Sequence, residues 1–283
     1  MKPITRILVP TDFSDGATRA LKYAVHLAKT ADAKLILLHA YRVPNPVMVS
    51  PYPVAIAYPD ADVDYEKIEQ EVTDELEALR RDHVDKAVKC EIISVCDLPE
   101  EAIASTTRER SIDLIVMGMR GGGALDKLVG STTTNVMHRV TCPLIAVPIN
   151  AVFAKIDHIL LAIDYERIKR ADTFQILVTL ANIFRAQIDV LHVTPGYTNL
   201  SPEKIAAGDM LDRMLRHARH SYRHQTSANI LDGLRSYLRE HDEEIGMLAM
   251  IPRDHNVWER ITKGSVTKDI LFEADRPVFV QHA

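Results

Sequence analysis

The sequence contains no run approaching the roughly 18 uninterrupted apolar residues that a helix needs to cross a bilayer. Its first residues, MKPITRILVPTDFSD, also lack the apolar region and cleavage site of a secretory signal. These two absences predict a cytoplasmic protein that has no membrane partner.

Cysteine and positive charge are also scarce. The three cysteines, Cys90, Cys96 and Cys142, include no CxxC pair, so we expect neither a disulfide framework nor a metal site but reduced, mostly buried thiols. Residues 1–150 carry 17 basic and 21 acidic residues, and residues 151–283 carry 17 and 18. Neither half therefore has the basic surface that a nucleic-acid partner would require.

Common catalytic motifs are missing as well. No GK[ST] follows a phosphate-loop glycine, and neither GxSxG nor HExxH occurs. The histidines His217, His220 and His224 recur at i, i+3 and i+7, and we interpret them as part of a solvated cationic helix face, because the rest of a metal-ligand set is absent. We therefore predict no catalytic residues.

What the sequence does contain is a long-period repeat. ITRILVP corresponds to HILLAI, LILLHA to IDVLHV, SIDLIVMG to EIGMLAMI, and CPLIAVP to RPVFVQ. Such self-similarity indicates a duplicated unit, so we predict two domains, residues 1–150 and 151–283, joined by a short connector.

Each half alternates apolar strands with amphipathic helices. This order predicts an α/β fold made of two doubly wound domains, each with a five-stranded parallel sheet covered by helices on both faces. Ser14 is placed to cap the first helix. The closing strands are apolar edges that need cover, which favours an internal pseudo-dimer in which the last strands pair. Whether two chains then form a homodimer is left open.

In a doubly wound sheet, ligands bind beyond the carboxyl ends of the strands, where the strand order reverses. Asp12 follows the first strand, where it can accept hydrogen bonds from a ribose or a base. A glycine-rich segment, residues 118–133, follows the fourth strand, and Gly130-Ser131 opens a helix whose free N–H groups favour phosphate. From the spacing alone, a tight turn with Ser131 as an N-cap is an equally good interpretation.

VPTDFS after the first strand, then G-x2-G, a spacer, G-S before the last helix, and the CPLIAVP strand resemble the ATP-binding class of universal stress proteins. The resemblance covers essentially the whole chain and implies an adenine-nucleotide α-hydrolase-like fold. It implies ATP as the ligand, with accompanying Mg²⁺ left open, and a stress-response role with unknown protein partners. Residues matching Pro10, Thr11 and Asp12 contact the adenosine in that family. The adenine pocket and phosphate loop are matched here by Ala40, Met117, Gly118, Gly121, Gly130, Ser131, Thr132 and Thr133.

Two departures from the family pattern bear on function. The spacer between Gly121 and Gly130 has eight residues, one fewer than is usual in the family. The second half has Ile251 and Asp254 where the first has Gly118 and Gly121, so we expect domain 2 to be structural or dimerising and not to bind a nucleotide. The alternative is an interaction module in which both sites are degenerate. An ATP-dependent activating enzyme is disfavoured, and ATP hydrolysis would at most be slow.

Overall fold

The computed structural model describes residues 2–42, 64–119, 131–151, 155–162, 173–194, 196, 202–251 and 276–281. The first half contains β1 (Arg6–Pro10), α1 (Asp15–Ala31), β2 (Lys34–Tyr41), α2 (Tyr65–His83), β3 (Cys90–Cys96), α3 (Pro99–Glu109), β4 (Leu114–Met119), α4 (Ser131–Arg139) and β5 (Leu144–Pro148). The second half contains β6 (His158–Ala162), α5 (Gln175–Phe184), β7 (Gln187–Thr194), α6 (Pro202–Leu215), β8 (His220–Thr226), α7 (Ile230–Glu240), β9 (Ile245–Met250) and β10 (Val278–Val280). In these ranges, no helix is both long enough and apolar enough to span a membrane.

The described strands form one ten-stranded sheet in the order β3-β2-β1-β4-β5-β10-β9-β6-β7-β8. Each half contributes five strands, and every pairing within a half is parallel. The order in the second half repeats that of the first, with β6 and β9 taking the central places of β1 and β4. The α/β class and the five parallel strands in each half are therefore as the sequence predicted.

The two halves meet where β5 pairs with β10, and this is the sheet's antiparallel pairing. Phe279 lies opposite Ile145 at this junction, and both side chains are fully buried. The last strands of the repeats thus cover each other's edges, as their apolar sequences indicated. The free edges of the described sheet are the outermost strands, β3 and β8.

The core lies on both faces of the sheet. In β1, Ile7 and Val9 pack into one buried cluster, and Leu8 packs into a second cluster on the opposite face. All three side chains have no measurable exposure. Burial on both faces explains why this strand reads as a continuous apolar run, which is typical of parallel sheets under helices.

Helix α1 covers the first of these faces and sets the entrance to the candidate site. Its buried stripe includes Ala20, Leu21, Ala24 and Leu27, at the helical spacing read from the sequence. The side chain of Ser14 accepts a hydrogen bond from the backbone N–H of Ala17, which confirms Ser14 as the N-cap.

The helical interpretation of the histidine-rich segment is wrong. Helix α6 ends at Leu215, and the residues from His220 onward form β8, whose His220 pairs with Ile188 of β7. Strand β8 lies at the sheet edge and is mostly polar, so it lacks the apolar period that separates a strand from a helix in a sequence. Pairing with β7, a tertiary interaction, determines its conformation.

The second half buries a carboxylate in its sheet. Counting from the first residues of β2 and β7, Asp189 stands where the first half has the buried Ile36. Asp189 accepts hydrogen bonds from His158 Nδ1 at 2.6 Å, Gln187 Nε2 at 2.9 Å and Ser221 Oγ at 2.6 Å. Burial acts to raise the pKa of Asp189, but these hydrogen bonds outweigh it and the pKa is lowered. A charged group thus links β6, β7 and β8.

The three cysteines are free thiols with unequal surroundings. Cys96, at the end of β3, is exposed, whereas Cys90 and Cys142 are partly buried. Burial raises the pKa of Cys90 to about 11 and that of Cys142 to about 12. The expectation of mostly buried thiols therefore fails for Cys96, because it lies at the open end of an edge strand.

Candidate functional site

A cavity of about 210 Å³ lies in the first half at the carboxyl ends of β1, β2 and β4. This is where the strand order reverses, because β2 and β3 lie on one side of β1 in the sheet, whereas β4 and β5 lie on the other. Eight of the residues predicted from the sequence line the cavity, namely Pro10, Thr11, Asp12, Ala40, Met117, Gly118, Thr132 and Thr133.

The rest of the predicted site cannot be placed. Gly121 and Gly130 lie outside the described residues. Ser131 is the first residue of α4, but its side chain is not among those described. In the second half, Asp254 likewise lies outside the described residues. The cavity volume above is therefore that of the part of the site lined by described residues.

Sequence reasoning missed several residues that line the cavity. They are Ser14, Gly16, Ala17, Leu38, Pro99, Ile103 and Met119. Pro99 and Ile103 come from the start of α3, after the third strand, whereas the residues predicted from the sequence lie at the ends of the first, second and fourth strands or follow them. A proline opening a helix beside the next carboxyl end was the available signal.

The cavity has an apolar wall and a polar rim. Leu38, Ile103 and Met117 give it a surface suited to the flat face of an aromatic ring. Thr11, Asp12 and Ser14 supply hydroxyl and carboxylate oxygens at one side. Apolar walls with a few polar groups at one end are typical of small-molecule sites.

The loop from β1 to α1 is held by its own hydrogen bonds. The N–H of Thr11 donates to the carbonyl of Leu38 at 2.8 Å, which extends the ladder between β1 and β2 by one residue. The Asp12 Oδ1 atom accepts from the N–H of Ser14 at 3.1 Å and from its hydroxyl. Asp12 is exposed, so its carboxylate is oriented by the turn but stays accessible from the cavity.

Gly118 has a packing role that its sequence motif did not indicate. A Cβ atom at this position would lie 2.5 Å from the carbonyl oxygen of Gly16 and 3.0 Å from the backbone nitrogen of Ala17. The missing side chain lets the N-terminus of α1 rest directly against the end of β4. Gly118 is thus required by the fold, whether or not a ligand is bound.

Thr133 is also engaged within the protein. Its hydroxyl donates to the carbonyl of Gly118 at 3.2 Å, and the residue is buried. This bond ties the first turn of α4 to β4, so the hydroxyl expected to reach a phosphate serves the backbone instead. Thr132, which is only partly buried, lines the cavity and is the better placed of the two to meet a ligand.

The second half differs at the position equivalent to Gly118. The sheet register makes Leu114 of β4 and Met247 of β9 equivalent, and counting along both strands places Ile251 where the first half has Gly118. Ile251 is buried. A branched side chain therefore occupies the place where the first half lets a helix N-terminus approach the sheet.

A metal centre finds no support in the described part of the chain. Within it, no group of three or more histidine, cysteine, aspartate or glutamate side chains is arranged to hold an ion. The fold and the cavity together define a doubly wound α/β protein with a cavity at its topological switch point, where proteins of this architecture bind ligands.

Comparison with known proteins identifies the family. Residues 3–148 match the family described as "Universal stress protein family", and the chain belongs to that family. The chain is 34% identical over 148 residues to the universal stress protein YxiE of Bacillus subtilis, covering 50% of this chain and 97% of that protein. It is 28% identical over 143 residues to a universal stress protein of Methanocaldococcus jannaschii, covering 50% of this chain and 81% of that protein.

A solved structure extends the likeness to both halves. A universal stress protein from Archaeoglobus fulgidus superimposes with a TM-score of 0.69 at 18% identity, covering 98% of each chain. At this identity the match shows the fold alone. Both halves of the chain thus share an architecture found in another universal stress protein.

Proposed function

We propose that this universal stress protein binds an adenine nucleotide, ATP, in the cavity of its first half. The observation that carries the proposal is the convergence of the predicted adenosine-contacting residues on one cavity, with Pro10, Thr11 and Asp12 at the rim and Ala40 and Met117 in the wall. These residues come from three different strand ends. A cavity at the switch point with one exposed carboxylate suits a ribose whose hydroxyls donate to Asp12.

In this proposal the protein has a regulatory role in a stress response, in which nucleotide occupancy of the first half changes its conformation or its partners. The second half serves as structural support and for assembly. Ile251 supports this division, because its buried side chain takes the place of the glycine that shapes the cavity in the first half.

A nucleotide-free interaction module is the second candidate function. It is favoured by the packing roles of Gly118 and Thr133, which account for both residues without any ligand. A measurement of ATP binding separates the two candidate functions, because only the first requires ATP to bind.

Calorimetric titration of the purified protein with ATP, with and without Mg²⁺, tests the proposal, together with mass spectrometry of any ligand released on denaturation. Asp12→Asn keeps the acceptor for Ser14 but removes the charge, and we expect ATP binding to weaken about tenfold or more, since hydrogen bonds to charged groups contribute roughly 1.5–3 kcal/mol. Asp15→Asn, at an exposed position in the first turn of α1, is the matched control and should bind as the parent does.

If no nucleotide is released and no heat appears at millimolar ATP, the nucleotide-binding hypothesis is wrong and the interaction module becomes the better-supported function. If Asp15→Asn weakens binding as much as Asp12→Asn does, the effect comes from the general loss of negative charge near α1. The carboxylate of Asp12 then has no specific role at the ribose.

A further inference from the structure

His39 lies behind the candidate site, at the carboxyl end of β2. Because side chains alternate along a strand, His39 points to the sheet face opposite that of its neighbours Leu38 and Ala40, which line the cavity. It is partly buried and does not itself line the cavity. Nothing in the proposed contacts with a nucleotide therefore involves this side chain.

His39 nevertheless reaches the loop that carries Asp12. Its Nδ1 lies 2.8 Å from the carbonyl oxygen of Thr11, and a carbonyl can only accept, so Nδ1–H is the donor. Thr11 is buried, and its N–H already completes the ladder to Leu38. The side chain of His39 thus satisfies a backbone carbonyl at the point where the ladder between β1 and β2 stops.

Phe13, two residues after Thr11, is held in a conformation that few non-glycine residues adopt. Its φ is 61°, in the left-handed region, which is sparsely populated for side chains of this size. Two contacts hold it there. Its N–H donates to Thr11 Oγ1 at 3.0 Å, and its ring lies against the ring of His39 with 4.5 Å between centroids.

These contacts converge on Asp12 from both sides. Thr11, before it, is held by the hydrogen bond from His39, and Phe13, after it, is held by the ring of His39. Asp12 lies between two residues fixed by the same side chain, and its carboxylate is then set by the turn to Ser14. Removing His39 would release the Thr11 carbonyl and the strained φ of Phe13 together.

We propose that His39 is a positioning residue. From the sheet face opposite that of Leu38 and Ala40, it holds the β1–α1 loop so that Asp12 faces the cavity in the conformation that receives the ribose of the nucleotide. The role in affinity rests on the proposed nucleotide binding. The role in holding the loop does not, because all of its contacts are present within the protein.

Two substitutions separate the donor from the ring. His39→Asn keeps an N–H donor, since the Asn Nδ2 stands at the same place along the side chain as the histidine Nδ1, whereas His39→Leu has no donor. Amide hydrogen exchange of Phe13 and Ser14 is measured first, in ligand-free protein. We expect exchange to accelerate on the order of tenfold in His39→Leu, with most of the protection restored in His39→Asn.

ATP titration and thermal unfolding of the same variants complete the test. We expect His39→Leu to bind ATP about tenfold more weakly than the parent and His39→Asn to bind within about threefold, even where both variants unfold at similar temperatures. A purely structural histidine would shift the unfolding temperature of His39→Leu while leaving its ATP affinity unchanged, and that result would overturn the proposal.

The two possible failures are distinguishable. If the parent protein binds no ATP, the proposed function is wrong, and the exchange measurement alone decides whether His39 holds the loop. If the parent binds ATP but exchange at Phe13 and Ser14 is the same in all three proteins, the positioning role is wrong and the nucleotide site stands.

Discussion

Gly118→Ala tests whether the glycine near the end of β4 is required by the packing of the fold, independently of any ligand. The added Cβ would stand 2.5 Å from the carbonyl oxygen of Gly16 and 2.6 Å from its carbonyl carbon, where ordinary contact begins at 3.4 Å. The neighbour is backbone and has no rotamer with which to move aside. Helix α1 would therefore have to retreat from β4 by about 0.9 Å at this point.

The helix is poorly able to make this movement. It is capped at Ser14 and buries Ala17, Ala20 and Leu21 in the core. Overpacking of this kind typically costs about 1–3 kcal/mol, which is a large share of a net stability of about 5–15 kcal/mol. For a loss of about 2 kcal/mol, we expect the unfolding temperature to fall by about 4–8 °C.

Gly16→Ala is the matched control, because Gly16 lies on the other side of the same contact and also lines the cavity. A Cβ there would have its nearest neighbour, the carbonyl oxygen of Met119, at an ordinary 3.6 Å. Alanine also suits a helix better than glycine by about 0.5–1 kcal/mol, so Gly16→Ala should be neutral or slightly stabilising.

The assay is chemical and thermal unfolding of both variants without nucleotide. Gly118 has no special packing role if Gly118→Ala is as stable as the parent, or if Gly16→Ala loses as much stability as Gly118→Ala. If Gly118→Ala keeps its stability but no longer binds ATP, Gly118 is needed for contact with the ligand and not for packing.

Three further predictions follow from the burial of single groups. Because the pKa of Asp189 is lowered in the folded protein, its carboxylate stabilises the fold fully above the unfolded pKa near 3.8, and this stabilisation is lost as the pH falls through the lower folded pKa. The denaturant concentration at the unfolding midpoint should therefore drop below about pH 4, and should drop less in Asp189→Asn. An equal dependence of the midpoint on pH in both proteins would contradict this. Ellman's reagent at pH 8 should label one thiol quickly, that of Cys96, and should label all three thiols only after unfolding. Loss of the fast labelling phase in Cys96→Ser would confirm the assignment. Phe279→Ala should cost about 3–5 kcal/mol because it empties a fully buried position in the junction strand, and a loss under 1 kcal/mol would show that the junction is not well packed.

Much of the fold was predictable because it is encoded locally. The strand β1 and the stripe of α1 follow from runs and periods of apolar residues, and Ser14 follows from capping chemistry that spans three residues. The duplication could be read by comparing segments such as LILLHA and IDVLHV. The resemblance carried by VPTDFS pointed to the correct family, and eight of the predicted residues line one cavity.

The failures come from positions where the local pattern carries no information. Strand β8 is polar on an edge, so its seven residues contain no apolar period, and pairing with β7 makes them a strand. The contribution of α3 to the cavity depends on how that helix packs against β2, which brings Ile103 and Leu38 to the same cavity. Pro99 marks the start of the helix in the sequence, but nothing local marks how the helix packs. The buried carboxylate of Asp189 likewise looks like an ordinary acidic residue in the sequence until the three side chains that donate hydrogen bonds to it are placed around it.

By itself, the sequence determined the family, the repeated α/β unit and the strand ends at which a site would form, because these depend on short-range patterns of burial and turn chemistry. The roles of particular residues at that site became clear only from the tertiary structure. Gly118 reads as a ligand-binding glycine, yet its lack of a side chain is required by the backbone of Gly16, which lies 102 positions earlier in the chain. In the sequence His39 is only one residue of an apolar strand, yet in the structure its Nδ1–H donates to the Thr11 carbonyl and its ring contacts Phe13, on either side of Asp12. Contacts between segments distant in sequence set both roles.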